Sequence, residues 1–107
     1  MKTVVGVLVF CLVVGGASLV AAQNTGESVF KAKCAMCHGA DGSGGTPVGK
    51  SLKIRDLRLP EVQKQTNAEL TQIIAKGKGK MPPFEGKLSK EQIEQLVAYV
   101  RELGKKH

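Results

Sequence analysis

Residues 34 to 38 read Cys34-Ala35-Met36-Cys37-His38, a C-x-x-C-H run. This is the pattern that attaches a c-type haem. Two thiols three residues apart can each form a thioether to one vinyl group of the same porphyrin. The adjacent His38 can then place an imidazole nitrogen on the iron. One axial position is left, and its occupant largely separates electron transfer from small-molecule chemistry. The cysteine pair has competing readings. A thioredoxin-like dithiol needs a βαβ context, and no such pattern is present. Zinc would need two further ligands, drawn from His38, the C-terminal His107, carboxylates or Cys11. Spacing alone leaves a short-span disulfide open.

Met81 is the candidate for the second axial position. It lies in Lys76-Gly77-Lys78-Gly79-Lys80-Met81-Pro82-Pro83-Phe84. A lone Met is more often core filler, but this one follows a Gly- and Lys-rich turn and belongs to no helical stripe. Gly77 lets the backbone turn tightly beside a flat ligand. Pro82 and Pro83 stiffen the segment, and Pro82 also pushes Met81 toward extended geometry. Phe84 is available to pack on a porphyrin edge. Met36 is the weaker candidate, because it sits between the anchoring cysteines on the same short segment as His38.

The elements that must position these residues are helical. Gly26 to roughly Cys37 forms the first helix, with Phe30 and Cys34 on one face at i,i+4. Asp41 to Gly49 is expected to be loop, punctuated by Gly42, Gly44, Gly45 and Pro47. Pro60 opens a short helix. Thr66-Asn67-Ala68-Glu69 fits a capping box for the next helix, whose apolar face carries Leu70, Ile73 and Ile74 before Gly77 ends it. Ser89-Lys90-Glu91-Gln92 is a second capping box, with Leu88 and Ile93 as a hydrophobic staple. Ile93, Leu96, Val97 and Val100 keep helical spacing up to Gly104. No stretch sustains period-2 alternation. The expectation is one all-α domain of about four helices around one covalently bound haem.

The first residues read as an export signal. Lys2 is followed by an apolar run from Val4 to Val14 and a small-residue exit ending Val20-Ala21-Ala22-Gln23. This is the n-region, h-region and cleavage pattern of a secretory leader. Residues 1–22 are therefore expected to be the leader and 23–107 the haem domain. The alternative is an uncleaved anchor, since Val4 to Ala22 is just long enough to span a bilayer. Removal of the leader takes Cys11 with it, so haem consumes both remaining cysteines. A domain this small buries only about 60% of its unfolded surface. With three Phe in the whole chain and no Trp, an apolar porphyrin would supply much of the core.

Beyond the haem motif, the chain resembles the class I c-type cytochromes, especially the small ones of bacteria, cyanobacteria and algae. Gly26 and Phe30 match the family's Gly-x-x-x-Phe helix. Leu96 and Tyr99 match its Leu-x-x-aromatic helix, and Met81-Pro82-Pro83-Phe84 matches its Met-Pro-x-Phe loop. The resemblance covers nearly all of residues 24 to 104. It implies the class I cytochrome c fold, with the first and last helices crossing at Gly26. It also implies a loop proline carbonyl, at Pro47, accepting a hydrogen bond from the proximal imidazole. Maturation outside the cytosol is implied too, in the periplasm or an equivalent lumen.

The whole chain has 16 basic and 9 acidic side chains and a net charge of +7. Loss of Lys2 with the leader leaves +6. Lys76, Lys78 and Lys80 precede Met81 and Lys87 follows it, so a basic patch near the iron would steer an acidic redox partner. Arg55 and Arg58 either neutralise haem propionates or sit on the surface. No helix-turn-helix, zinc-finger or oligonucleotide-binding pattern supports nucleic-acid binding. The leading function is a monomeric one-electron carrier with a His38/Met81-ligated haem c, not an enzyme. The alternatives are a membrane-anchored electron-input subunit of a larger oxidoreductase and a haem-based ligand sensor. The sensor lacks a distal acid–base group, since the only other histidine is the terminal His107.

Overall fold

The computed structural model describes residues 25–106. The expected leader (residues 1–22), Cys11 and His107 lie outside the described residues. Among the described residues six helices follow in order: α1 (Gly26–Lys33), α2 (Ala35–His38), α3 (Pro47–Leu52), α4 (Pro60–Gln63), α5 (Asn67–Lys76) and α6 (Lys90–Lys105). Two isolated bridges, Lys78 with Met81 and Glu85 with Leu88, are the only β-type pairings among the described residues. The all-α expectation holds, with three helices of eight to sixteen residues and three short ones of four to six among the described residues.

Two of the short helices have local causes. The expected helix from Gly26 to Cys37 breaks at Cys34, whose φ of −115° departs from helical geometry. Its N–H still bonds to the Phe30 carbonyl at 2.8 Å, so the chain bends there without losing that hydrogen bond. The segment expected to be loop ends in α3. Thr46 caps it, accepting the Gly49 N–H at 2.9 Å, and Pro47 fills the first helical position. That pairing of cap and proline is a start signal outweighed in the sequence by the surrounding glycines.

The other ends follow their caps. Thr66 accepts from the Glu69 N–H at 3.0 Å to start α5. At α6 both halves of the capping box form: Gln92 N–H donates to Ser89 Oγ at 3.1 Å, and Ser89 N–H donates to Gln92 Oε1 at 2.8 Å. The last helix continues one residue past Gly104.

Helix α1 packs on α6, and Phe30 and Leu96 are the most buried side chains, 2% and 1% exposed. Each such burial contributes about 2 kcal/mol. Val29, Val62, Leu70, Ile74, Leu88, Ile93, Val97, Val100 and Leu103 complete the core. At the crossing, a Cβ on Gly26 would lie 2.1 Å from the Gln95 carbonyl oxygen and 3.0 Å from Tyr99 Cβ. Only glycine permits that approach. The Phe30 and Tyr99 rings meet beside it with centroids 5.2 Å apart.

Arg101 on α6 ties the α4–α5 junction to this frame. Its Nη1 donates to the Gln63 carbonyl at 2.7 Å and its Nε to Asn67 Oδ1 at 3.0 Å; Nη2 donates to the Gln65 carbonyl. Gln63 Nε2 in turn donates to the carbonyls of Leu57 (2.7 Å) and Val100 (3.0 Å). Otherwise unpaired backbone carbonyls around the α4 turn are thereby satisfied.

Candidate functional site

Helix α2 carries the C-x-x-C-H residues as a single tight turn. The N–H groups of Cys37 and His38 both donate to the Cys34 carbonyl, at 3.2 and 3.0 Å. Gly39 closes the turn at φ 80°, ψ 152°, a backbone conformation that a side chain would strain. From outside, Thr46 Oγ1 donates to the Met36 carbonyl at 2.8 Å and the Cys37 carbonyl at 3.2 Å. A Cβ on Gly49 would lie 2.4 Å from that same Cys37 carbonyl. Helix α3 therefore holds the backbone of the attachment turn. Thr46 and Gly49 are positioning residues that sequence reasoning missed; the Thr46-Pro47 start signal could have located the first.

Cys34 and Cys37 are both free thiols. Burial, with a smaller contribution from Cys37, pushes the Cys34 thiol up to about 11. Among the described residues, no group of three or more His, Cys, Asp and Glu side chains gathers as a metal site. Met36 points to solvent and is 76% exposed.

His38 is half-buried, and its ring lies 6.3 Å from that of Phe30. Burial lowers its pKa, favouring the neutral imidazole. Its Nδ1 is buried without a hydrogen-bond partner. The bond to a Pro47 carbonyl implied by the resemblance is thus not formed. The reason is local: Pro47 occupies the first position of α3, where its carbonyl points along the axis into the helical ladder.

Met81 sits at the end of a two-residue turn. Its N–H donates to the Lys78 carbonyl at 3.0 Å, and the Lys78 N–H donates to its carbonyl at 3.1 Å. The loop folds back on Gly77, where a Cβ would meet the Met81 carbonyl oxygen at 2.7 Å and the Pro83 nitrogen at 2.9 Å. Past the prolines, the N–H groups of Phe84 and Glu85 donate to the α5 carbonyls of Ile74 and Ala75, at 3.1 and 3.0 Å. Lys76 also pairs with Glu85. The Met81 segment is thus fastened at both ends to α5.

Three adjoining cavities have His38 and Met81 in common. One, of about 70 Å³, is lined by the core side chains Phe30, Leu57, Leu70, Ile74, Leu96 and Val100, with Cys34 at its edge. A second, of about 90 Å³, borders Cys34, Cys37, Leu52, Ile54, Pro82 and Phe84, with Lys33 and Lys80 at its mouth. The third, of about 250 Å³, opens past Ile73 to Lys53, Arg55, Gln65 and Lys78. The cleft is apolar inside and basic outside. An imidazole with an unpartnered buried nitrogen, a thioether and two thiols border it, and this donor set fits a flat, largely apolar iron macrocycle attached by sulfur.

The expected basic cluster is redistributed. Lys76 is neutralised by Glu85, Lys78 borders the third cavity and Lys80 the second. Arg58 is held by Asp56 through two bonds of 2.9 Å and does not border these cavities, whereas Arg55 does.

Comparison with known proteins points the same way. Residues 21–100 match a family model described as "Cytochrome C oxidase, cbb3-type, subunit III". The chain is 37% identical to cytochrome c6 of Nostoc sp. over 94% of its own length and 86% of that protein. It is 41% identical to cytochrome c6 of Microcystis aeruginosa, over 70% of this chain and 89% of that one. A solved structure described as "KustC0563 c-type cytochrome" superposes with a TM-score of 0.68 at 32% identity, covering 74% of this chain and 96% of the other.

Proposed function

The chain belongs to the class I c-type cytochromes, and from that premise we infer that it is a one-electron carrier whose haem c is held by Cys34, Cys37, His38 and Met81. The observation that carries this residue assignment is the shared border. His38 and Met81 line all three cavities, and the two cysteines lie along the same cleft. When bound, haem c supplies a one-electron Fe(III)/Fe(II) couple. The chain's part is to hold and shield it. Cys34 and Cys37 would hold the porphyrin by thioether bonds, each thiol adding across one vinyl group with its sulfur on one carbon and its proton on the other. His38 and Met81 would hold its iron through a nitrogen and a soft sulfur, which together favour the reduced state. The apolar lining excludes water, and the loop fastened to α5 keeps Met81 in place as the charge on the cofactor changes.

The test is chemical. The purified protein keeps its haem through acid-organic extraction, and Cys37→Ser yields little haem-loaded protein. Extraction of the porphyrin from the parent, or a normal haem content in Cys37→Ser, refutes the attachment.

Residues 1–22 act as a cleaved export leader in this reading, so the carrier works in the periplasm or an equivalent lumen. Among the described residues, no helix is long and apolar enough to cross a membrane. The family model's description, naming an oxidase subunit, supports a second reading: an electron-input subunit retained in a larger complex. N-terminal sequencing separates the two. A start at or near Gln23 favours the free carrier, while an intact Met1 and co-purification with membrane subunits favours the second.

As a c-type cytochrome, the chain exchanges electrons with redox partners, and the finer proposal is that its partner presents an acidic surface. Lys33 and Lys80 flank the second cavity, and Lys87 lies 5.9 Å over the ring of Phe84, which lines it. None of the three has an ion-pair partner among the described residues. Changing them together to Gln slows electron transfer to an acidic partner several-fold at low salt and leaves the midpoint potential nearly unchanged. The difference shrinks with salt, because the Debye length falls from about 10 Å at 0.1 M to about 3 Å at 1 M. Stopped-flow rates across a salt series measure it; equal rates at low salt would move the docking face elsewhere.

A further inference from the structure

Leu57, Val62 and Leu70 line the first cavity, and the same three with Gln65 line the third. Residues 57–70, which carry α4 and the start of α5, are therefore one wall of the cleft between His38 and Met81. This wall is weakly made. Helix α4 is a single turn of four residues, too short to hold itself. From Leu57 to Thr66, Val62 is the one buried residue. The N–H groups of Val62, Gln63, Lys64 and Gln65 all bond back to carbonyls of the same stretch. At its start the Leu57 N–H donates to the Gly42 carbonyl at 2.8 Å. Arg58 lies 3.9 Å from the exposed Asp41 carboxylate, a contact of little weight in water.

Helix α6 supplies what the wall lacks. The Arg101 guanidinium reaches the carbonyls of Gln63 and Gln65 and the side chain of Asn67, the first residue of α5. Carbonyls at the end of a helical turn have no partner within it, and here a charged donor takes that place. All three acceptors are neutral oxygens, so this cation sets backbone geometry and forms no ion pair with them. The tie is reciprocal. Gln63 Nε2 donates to the Val100 carbonyl of α6 at 3.0 Å. Gly104 leaves room for that amide, since a Cβ there would lie 2.5 Å from Gln63 Cδ. Neither Arg101 nor Gln63 borders any of the three cavities. They act on the wall from behind.

Stretches with few buried apolar contacts open locally at low free energy, and opening here would expose the cleft beside His38 and Met81. We propose that Arg101, together with Gln63, is the positioning residue that keeps the Leu57–Leu70 wall closed over the haem cleft, and so controls how fast small molecules reach the iron. This rests on the haem assignment above. Solvent and ligand access decide whether a haem transfers electrons or binds ligands, so an electron carrier depends on a closed wall. Lysine cannot replace Arg101, because an ammonium is a point charge and lacks the planar fork that meets several acceptors at once.

The experiment uses purified, haem-loaded ferric protein, with imidazole as the probe ligand followed by stopped-flow absorbance. Arg101→Gln raises the imidazole binding rate about tenfold or more, the scale expected when charged hydrogen bonds to two carbonyls are lost. The sulfur-to-iron band of its resting spectrum stays. Amide hydrogen exchange speeds up across residues 57–66 and keeps parent values in α1. Arg101→Lys retains the charge and does not restore the parent rate. Gln63→Leu cuts the tie from the other side and raises the rate as well; it decides the matter if Arg101→Gln does not fold. Ser89→Ala weakens the α6 cap and lowers Tm, yet leaves imidazole binding at the parent rate. A parent rate in Arg101→Gln or in Gln63→Leu overturns the proposal. Full recovery in Arg101→Lys also overturns it, by making charge the cause, and an equal rise in Ser89→Ala does so by making general instability the cause. Failure of the haem assignment itself looks different: the parent protein would carry no covalent haem and show no imidazole spectrum.

Discussion

Met81→Ala lowers the midpoint potential of the haem protein by a few tenths of a volt and opens the iron to water or an added ligand. Axial ligands set haem potentials over about 0.8 V in total, and a thioether is among those that raise it. Removing the soft donor takes away stabilisation of Fe(II), while Cys34, Cys37 and His38 still hold the cofactor. The loop itself should survive. Its turn is closed by the Lys78 and Met81 backbone groups, and its exit is bonded to α5 through Phe84 and Glu85. Alanine keeps every one of those hydrogen bonds, so a change in potential reports on the sulfur and not on a collapsed loop. Absorption spectroscopy and redox titration test both halves on one sample. Survival of the sulfur-to-iron charge-transfer band together with an unchanged potential would remove Met81 as ligand.

Gly26→Ala destabilises the folded protein by about 2 kcal/mol, within the usual cost of overpacking a close contact. In a domain of this size, that is a fall in Tm of about 8–16 °C. The added methyl group meets the Gln95 carbonyl oxygen at 2.1 Å and Gln95 C at 2.7 Å. Both are backbone atoms of α6, so no side-chain rotation relieves the clash, and the two helices must move apart. That displacement loosens Phe30 and Leu96, the most buried residues of the core. The intrinsic helical advantage of alanine over glycine, about 1 kcal/mol in a helix interior, is smaller than this cost and weaker still at the first helical position. Denaturant unfolding of the haem-loaded protein, followed by circular dichroism, gives the value. A midpoint equal to the parent's would mean that the α1–α6 crossing adapts freely.

Much of the molecule is local enough to read from residue order. The C-x-x-C-H turn is five residues long, and the side-chain caps join residues three positions apart, as Ser89 and Gln92 do at α6. Such pairs need no distant partner, so Thr66, Ser89 and Pro60 announced their helices correctly. The misreadings were local too, where two signals competed. The glycines of residues 42–49 outweighed Thr46 and Pro47, although close packing of Gly49 on the Cys37 carbonyl uses a glycine inside a helix. The break at Cys34 left no mark in the pattern, since i,i+4 spacing continues through it.

What residue order left open is which charges remain bare. Lys76, Lys78 and Lys80 alternate along five residues and look equivalent, yet Glu85 neutralises the first and the other two border different cavities. Arg55 and Arg58 are equally alike in sequence, and a neighbouring carboxylate decides between them. Arg101 binds the Gln63 carbonyl across 38 positions. An ion pair or a carbonyl contact depends on where a side chain ends in space, after the chain has closed its loops. Helix caps and the attachment motif are therefore properties of the residue order, while the pairing of its cations and the shape of the cleft between His38 and Met81 belong to the tertiary fold.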